Sequence, residues 1–141
     1  MGDANVDVVR RIEAAWAESD LDALDDLIAA DYTPHTPGSD QIPPGLQGAK
    51  MAHQGVMQSF PDRKVNVEEI LGDGDTVAVR TRITGTNDGG FPLFNVPANG
   101  AKIDFPAVSI YRLRDGKIVG HWGLNDALTL MMQLGAIQPP A

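Results

Sequence analysis

The chain has 141 residues, 43% of them hydrophobic, no cysteine and a formal net charge of −8. That is one domain's length of chain, 1–141, able to bury roughly two thirds of its unfolded surface in a single core. Without thiols there is no cysteine nucleophile, thiolate metal site or disulfide, and no apolar run approaches the roughly 18 residues that a membrane helix needs.

Nine acids and two bases fall within the first 31 residues, so the charge is concentrated on an acidic N-terminal face. No basic stripe is available to hold nucleic acid or an anionic membrane, and neither partner is expected. The first thirty residues show no basic start followed by an apolar run, which makes the cytoplasm the expected setting.

Val6, Val9, Ile12 and Trp16 recur every three or four residues and predict a first helix. Ser19 and Asp22 have the spacing of a capping box, and Leu21, Leu24, Leu27 and Ile28 predict a short second helix. The Pro-rich stretch from Tyr32 to Gly45 cannot stay helical and reads as a loop with a short extended piece. Leu46, Ala49, His53, Met57 and Phe60 then share one face of a third helix.

From Lys64 the period changes to two. Val65 and Val67 alternate with polar residues, the turn Gly72-Asp73-Gly74-Asp75 follows, and Thr76 to Ile83 predicts the partner strand. Two more strands, Lys102 to Leu113 and Lys117 to Leu124, flank Arg114-Asp115-Gly116. Asn125 or Asp126 caps a last short helix carrying Leu128, Leu130, Met131 and Leu134, with Gly135 closing it. Between the second and third strands, residues 85–100 mix Gly, Asn and Pro with Phe91, Leu93, Phe94 and Val96. Such a segment predicts a mobile, apolar lip.

Helices followed by antiparallel strands and a short terminal helix give an α+β layout, with the sheet curling around three N-terminal helices. The ligand pocket belongs between the concave sheet face and the helices. Trp122 and other apolar strand residues fall on whichever face is not the pocket, which predicts a homodimer built on the outer face of the sheet.

Asp31-Tyr32 followed by His35, Phe60-Pro61-Asp62, the run from Gly74 to Thr86, and above all YRLRDGKIVGHW followed by Asp126 resemble the SnoaL-like polyketide cyclase (ester cyclase) family. The resemblance covers almost the whole chain. It implies the cystatin-like α+β barrel of the nuclear transport factor two-like superfold and intramolecular aldol chemistry without metal or organic cofactor. It also implies an acid/base aspartate two residues after the histidine of the Gly-Lys-Ile strand, where this chain has Gly123. The family's glutamine and histidine on the preceding strand correspond to Ala107 and Ser109. An aromatic on the first helix, here Trp16, agrees with a pocket wall.

The titratable repertoire off the acidic helices is short. His121 is the first acid/base candidate because a histidine titrates near neutrality. If Arg114-Asp115-Gly116 is a turn with a Gly bulge, 113 pairs with 117 and Ser109, His121, Gly123 and Ala107 share a face. A two-residue turn would instead set Ser109 beside Trp122. Asp126 either orients His121 or caps the last helix, and His35 lies in the loop expected to cross the pocket mouth. His53 points into either the cavity or the core. Arg80 either faces inward as a fixed cation for a carbonyl or enolate oxygen or pairs with Glu69 on the surface.

Phe91, Phe94 and Phe105 complete the expected substrate-binding set. No metal or organic cofactor is expected, and the expected ligand is a small hydrophobic molecule. The leading expectation is acid/base chemistry, either aldol cyclisation or isomerisation, on a hydrophobic carbonyl substrate. The alternatives are a binding protein of the same fold and a metal-free epoxide hydrolase using Asp104, Arg80 and Asp126.

Overall fold

A computed structural model describes residues 2–36 and 39–138. The apolar stripe of the N-terminal segment buries Val9, Ile12 and Ala15 along helix α1 (Gly2–Glu18). The helix stops at Ser19, whose φ of 57° is left-handed. The segment expected as a second helix forms a single 3-10 turn over Asp22–Asp26, and strand β1 (Ile28–Pro34) begins two residues later.

The apolar positions there were correctly read as buried, for Leu24, Leu27 and Ile28 all lie in the core. Their element was not. Asp20 rather than Ser19 caps the turn, accepting the Ala23 N–H at 3.2 Å. The backbone of the segment is satisfied by the neighbouring strand, with Leu27 O accepting the Ile118 N–H at 2.9 Å.

Helix α2 (Gly45–Ser59), strands β2 (Lys64–Asp73), β3 (Thr76–Thr86), β4 (Lys102–Arg114) and β5 (Lys117–Asn125), and helix α3 (Ala127–Leu134) complete the fold. The sheet order is β1-β5-β4-β3-β2. Strands β2 to β5 are antiparallel as expected, but β1 adds to β5 in parallel, so the sheet is mixed. Helix α1 packs against β2 and β3, α2 against β1, and α3 against β4. Among the described residues, no helix is long and apolar enough to cross a membrane.

Strand alternation sorts the sheet into two faces. Val77, Val79, Thr81 and Ile83 on β3, and Ile103, Phe105, Ala107, Tyr111 and Leu113 on β4, are buried on the helix side. The outer face leaves Val108, Ile110, Trp122 and Leu124 exposed. This is the face on which the sequence reading sets a second copy.

Register decides which β5 residues face inward, and neither register expected from the sequence holds throughout. Asp115 and Gly116 both have positive φ, 53° and 77°, giving a two-residue hairpin turn in which Arg114 opposes Lys117. A one-residue shift next to Arg112 then sets Tyr111 opposite His121 and Ser109 opposite Gly123. His121 and Gly123 therefore share the inner face with Ala107 and Ser109.

The lip between β3 and β4 is a loop closed around Asn87, which is fully buried. Its side chain donates to Pro97 O at 3.0 Å and to Asn99 Oδ1 at 2.9 Å, and accepts the Gly90 N–H at 3.0 Å. Gly89 lies so close to α2 that a Cβ there would stand 1.7 Å from Gln58 O. Phe91 is thereby held against Phe60, with ring centroids 5.7 Å apart.

Asn87→Ala strands the buried Gly90 N–H and removes the donor to Pro97 O and Asn99 Oδ1, and is expected to cost about 1–3 kcal/mol. Urea denaturation measures the loss. Amide exchange across 88–100 should accelerate more than exchange in β4.

Candidate functional site

The concave sheet face and helices α1 and α2 enclose a cavity of about 550 Å³, a size that suits a small organic ligand. Its walls are Trp16 from α1, Tyr32 from β1, Val56 from α2, and Phe91 from the lip. Thr81, Ala107, Ser109, Tyr111, His121 and Gly123 form the sheet side. Apolar surface comes from Trp16, Val56 and Phe91, and polar groups enter from the helices, Glu13 on α1 and His53 on α2, as well as from β4 and β5.

His121 is the centre of that polar group. Its Nε2 lies 2.9 Å from Ser109 Oγ, and its ring stacks on Tyr111 with centroids 4.5 Å apart and planes 7° from parallel. Burial pushes its pKa down to about 4, because an imidazolium there would lose water without gaining a counter-charge. The near-neutral titration expected from the sequence is therefore corrected: at pH 7 the ring is uncharged. Thr36 Oγ1 accepts the Gly123 N–H at 3.1 Å, and a Cβ on Gly123 would stand 3.0 Å from that oxygen and 3.2 Å from His121 Nε2.

Tyr111 links this pair to a second polar group deeper against α1. Its hydroxyl donates to Glu13 Oε1 at 2.7 Å. Burial raises the Glu13 pKa, while the Tyr111 hydrogen bond and the charge of Arg63 act against the rise. Tyr32 nearby is pushed up to about 12 by burial.

Arg63 also faces this region. Its Nη1 is buried with no hydrogen-bond partner among the described residues, and burial lowers its pKa against the opposing influence of Glu13 and Tyr111. The Phe60-Pro61-Asp62 turn sets its position. Asp62 accepts both the backbone N–H and the hydroxyl of Thr86 on β3 at 2.7 Å, and Arg63 N donates back to Phe60 O at 3.0 Å.

The expected site residues divide into two groups. Trp16, His53, Phe91, Ala107, Ser109, His121 and Gly123 line the cavity. His53 is buried, 5.0 Å from Trp16 between ring centroids, with its Nε2 3.2 Å from Ser19 Oγ; burial first, and then Arg63, lower its pKa.

His35, Asp126, Arg80, Phe94 and Phe105 lie elsewhere. His35 stacks on Trp122 at 4.5 Å on the exposed face, because alternation along β1 turns it away from Thr36 and Pro34, which do reach the cavity. Asp126 caps α3, accepting the Thr129 N–H at 3.2 Å and its hydroxyl at 2.6 Å, and the Thr129 hydroxyl bond holds its carboxyl below the usual range.

Arg80 projects from the outer face and pairs with Glu68 at 3.2 Å and Glu69 at 3.4 Å. Asp104 pairs with Arg82 at 2.6 Å on that face. An Asp104-Arg80-Asp126 relay is therefore not assembled, which removes the epoxide hydrolase alternative that needed it. Phe105 belongs to the buried cluster under α3 with Leu130 and Leu134, and Phe94 packs on Phe91 at the surface, with centroids 5.1 Å apart.

Glu13, Tyr32, Arg63 and Tyr111 were not singled out from the sequence. Glu13 was detectable as the acid adjoining the apolar stripe of α1, and Tyr111 lies inside the YRLRDG motif. Arg63 follows Phe60-Pro61-Asp62, but nothing in the local pattern turns its guanidinium inward. Among the described residues, no group of three or more His, Asp or Glu side chains could hold a metal ion.

The chain matches the family model described as SnoaL-like polyketide cyclase over residues 6–134. IdmH, a candidate polyketide cyclase from Streptomyces antibioticus, is 33% identical, with a TM-score of 0.79 over 93% of this chain and 98% of that one. A candidate SnoaL-like polyketide cyclase from Jannaschia sp. CCS1 is 26% identical, with a TM-score of 0.86 over 99% and 96%. AclR, a candidate hydroxylase from Streptomyces galilaeus, is 25% identical, with a TM-score of 0.84 over 100% and 87%. No curated protein sequence matches the chain.

Tyr111→Phe keeps the ring against His121 but removes the donor to Glu13. A carboxyl with a raised pKa favours folding below its unfolded value and loses that contribution as pH rises through the folded value. Loss of the hydrogen bond harms the ionised carboxylate most. The expected destabilisation is about 1–3 kcal/mol and larger at pH 8 than at pH 5. Urea unfolding at the two pH values reads the difference, and equal losses would separate Glu13 ionisation from this bond.

Proposed function

Since the chain belongs to the SnoaL-like polyketide cyclase family, we propose that it is an enzyme that moves a proton at a carbon next to a carbonyl of a hydrophobic substrate, without an organic cofactor. The observation that carries this reading is His121: an uncharged imidazole on the wall of a largely apolar cavity, oriented by Ser109 and stacked on Tyr111. An uncharged ring can accept a proton at pH 7, whereas an imidazolium cannot.

The step follows from charge balance. The substrate C–H proton passes to an imidazole nitrogen, and the electron pair moves onto the carbonyl oxygen. Burial disfavours imidazolium for want of a counter-charge; the enolate supplies one as the proton arrives. In an aldol cyclisation, the enolate carbon then attacks a second carbonyl of the same molecule, and the new alkoxide takes the proton back from His121. Isomerisation uses the same first step and returns the proton to another carbon.

A binding protein of the same fold is the second reading. It is favoured by Gly123 standing where the resemblance implies an aspartate, and by Asp126 serving as a helix cap rather than a base.

Solvent deuterium exchange next to the carbonyl of α-tetralone, followed by NMR, separates the two. An enzyme accelerates it, and His121→Gln should slow the catalysed exchange by about a hundredfold to ten-thousandfold. Arg80→Gln, on the outer face, should leave it unchanged. Tetralone binding without acceleration would establish the binding reading.

A further inference from the structure

Arg63 is a charged group in the cavity that the proposed chemistry leaves unused. It makes no ion pair within 4 Å with any described carboxylate, and its Nη1 is buried without a hydrogen-bond partner among the described residues. A buried guanidinium donor left unpaired carries the full cost of its lost hydration. Arginine also presents its donors in a fixed planar fork matched to a carboxylate or a similar oxyanion.

The neighbours do not provide such a partner. Tyr111 hydroxyl is committed to Glu13 at 2.7 Å. The Glu13 carboxyl acts on the Arg63 charge from a distance but forms no ion pair with it within 4 Å. Trp16, Tyr32 and Val56 line the same cavity and supply flat and apolar surface for a ring.

From this juxtaposition we propose that the cavity takes an aromatic or otherwise apolar molecule carrying one acidic oxygen, with that oxyanion held by Arg63 and the apolar body between Trp16 and the lip. The acidic group is a carboxylate, or an enolate or phenolate of comparable charge. This deepens the proposed function, since it rests on the cavity being the ligand site, but it does not require proton transfer at His121. Asp62 is a positioning residue here: its two bonds to Thr86 hold the turn from which Arg63 enters the cavity.

Arg63 also borders a groove beside β2 lined by Lys64, Asn66, Arg82 and Asp104, so the test must distinguish the two places. Calorimetry with 2-naphthoate and the uncharged isostere 2-naphthamide measures the preference for the acidic oxygen. 1-Hydroxy-2-acetonaphthone, titrated above its phenol pKa, distinguishes a phenolate from a carboxylate source. Wild-type protein should bind naphthoate at least about tenfold more tightly than naphthamide, the scale of one charge-assisted hydrogen bond.

Arg63→Met should abolish that preference while leaving naphthamide affinity unchanged, and Arg63→Lys, which keeps the charge without the fork, should retain part of it. Arg82→Gln, in the outer groove, should retain all of it. Thermal melts of the free variants establish that each is folded, and Arg63→Lys carries the test if Arg63→Met is not. Equal affinity for the two probes in wild type, no binding of either at about 1 mM, or loss of preference in Arg82→Gln instead of Arg63→Met would overturn the proposal. A retained carboxylate preference without deuterium exchange would leave this inference standing and refute the enzymatic one.

Discussion

The 2.7 Å hydrogen bond from Tyr111 to Glu13 joins residues 98 positions apart, and the polar side of the cavity is organised around it. It fastens helix α1 to the central region of the sheet. It also fixes the Tyr111 ring, on which His121 stacks, and His121 in turn meets Ser109 across the strand pair. A buried carboxyl without a donor would cost several times what the bond contributes. The contact therefore constrains the fold as well as the site: α1 must lie where Glu13 can reach β4.

The cavity gathers groups whose burial acts in opposite directions. Glu13 is pushed toward its neutral acid and His121 toward its neutral base. The unfolded chain takes up a proton on His121 near its ordinary pKa of about 6.5, while the folded chain does so near 4. Folding thus loses stability from His121 as pH falls between those values, by about 3 kcal/mol. Glu13 acts with the other sign, its contribution falling as pH rises above its unfolded value. Burial thus acts on both groups against their charged forms, while Arg63 opposes the shift of Glu13.

Much of the fold could be read from periodicity. The stripe of α1 and the alternation in β3 and β4 each reported a real buried face. The Leu21–Ile28 stripe reported burial correctly but not helix, because four apolar residues among acids can be buried equally well by a 3-10 turn running into a strand. Parallel pairing of β1 with β5 is a long-range event with no local signature. The turn at Asp115-Gly116 was legible, yet the bulge beyond it was not, and that bulge decides that His121 rather than Trp122 faces the cavity.

The site was legible where it depends on face and less so where it depends on a single rotation. Ala107, Ser109, His121 and Gly123 follow from strand alternation once the register is known. His35 and Thr36 are neighbours, and only the direction in which β1 leaves the sheet decides which enters the cavity. Arg80 shares its strand with the inward Thr81, one position out of phase. Arg63 carries no local pattern at all, since its inward course depends on Asp62 meeting Thr86 on a strand more than twenty residues away.

The central claim is that the fold holds His121 as an uncharged base at the cavity wall. Ring ¹⁵N chemical shifts of His121, followed from pH 8 downward, test it directly. The account predicts the signature of a neutral imidazole through pH 6, with charging centred at about pH 4. A midpoint near the ordinary histidine value of about 6.5 would contradict it.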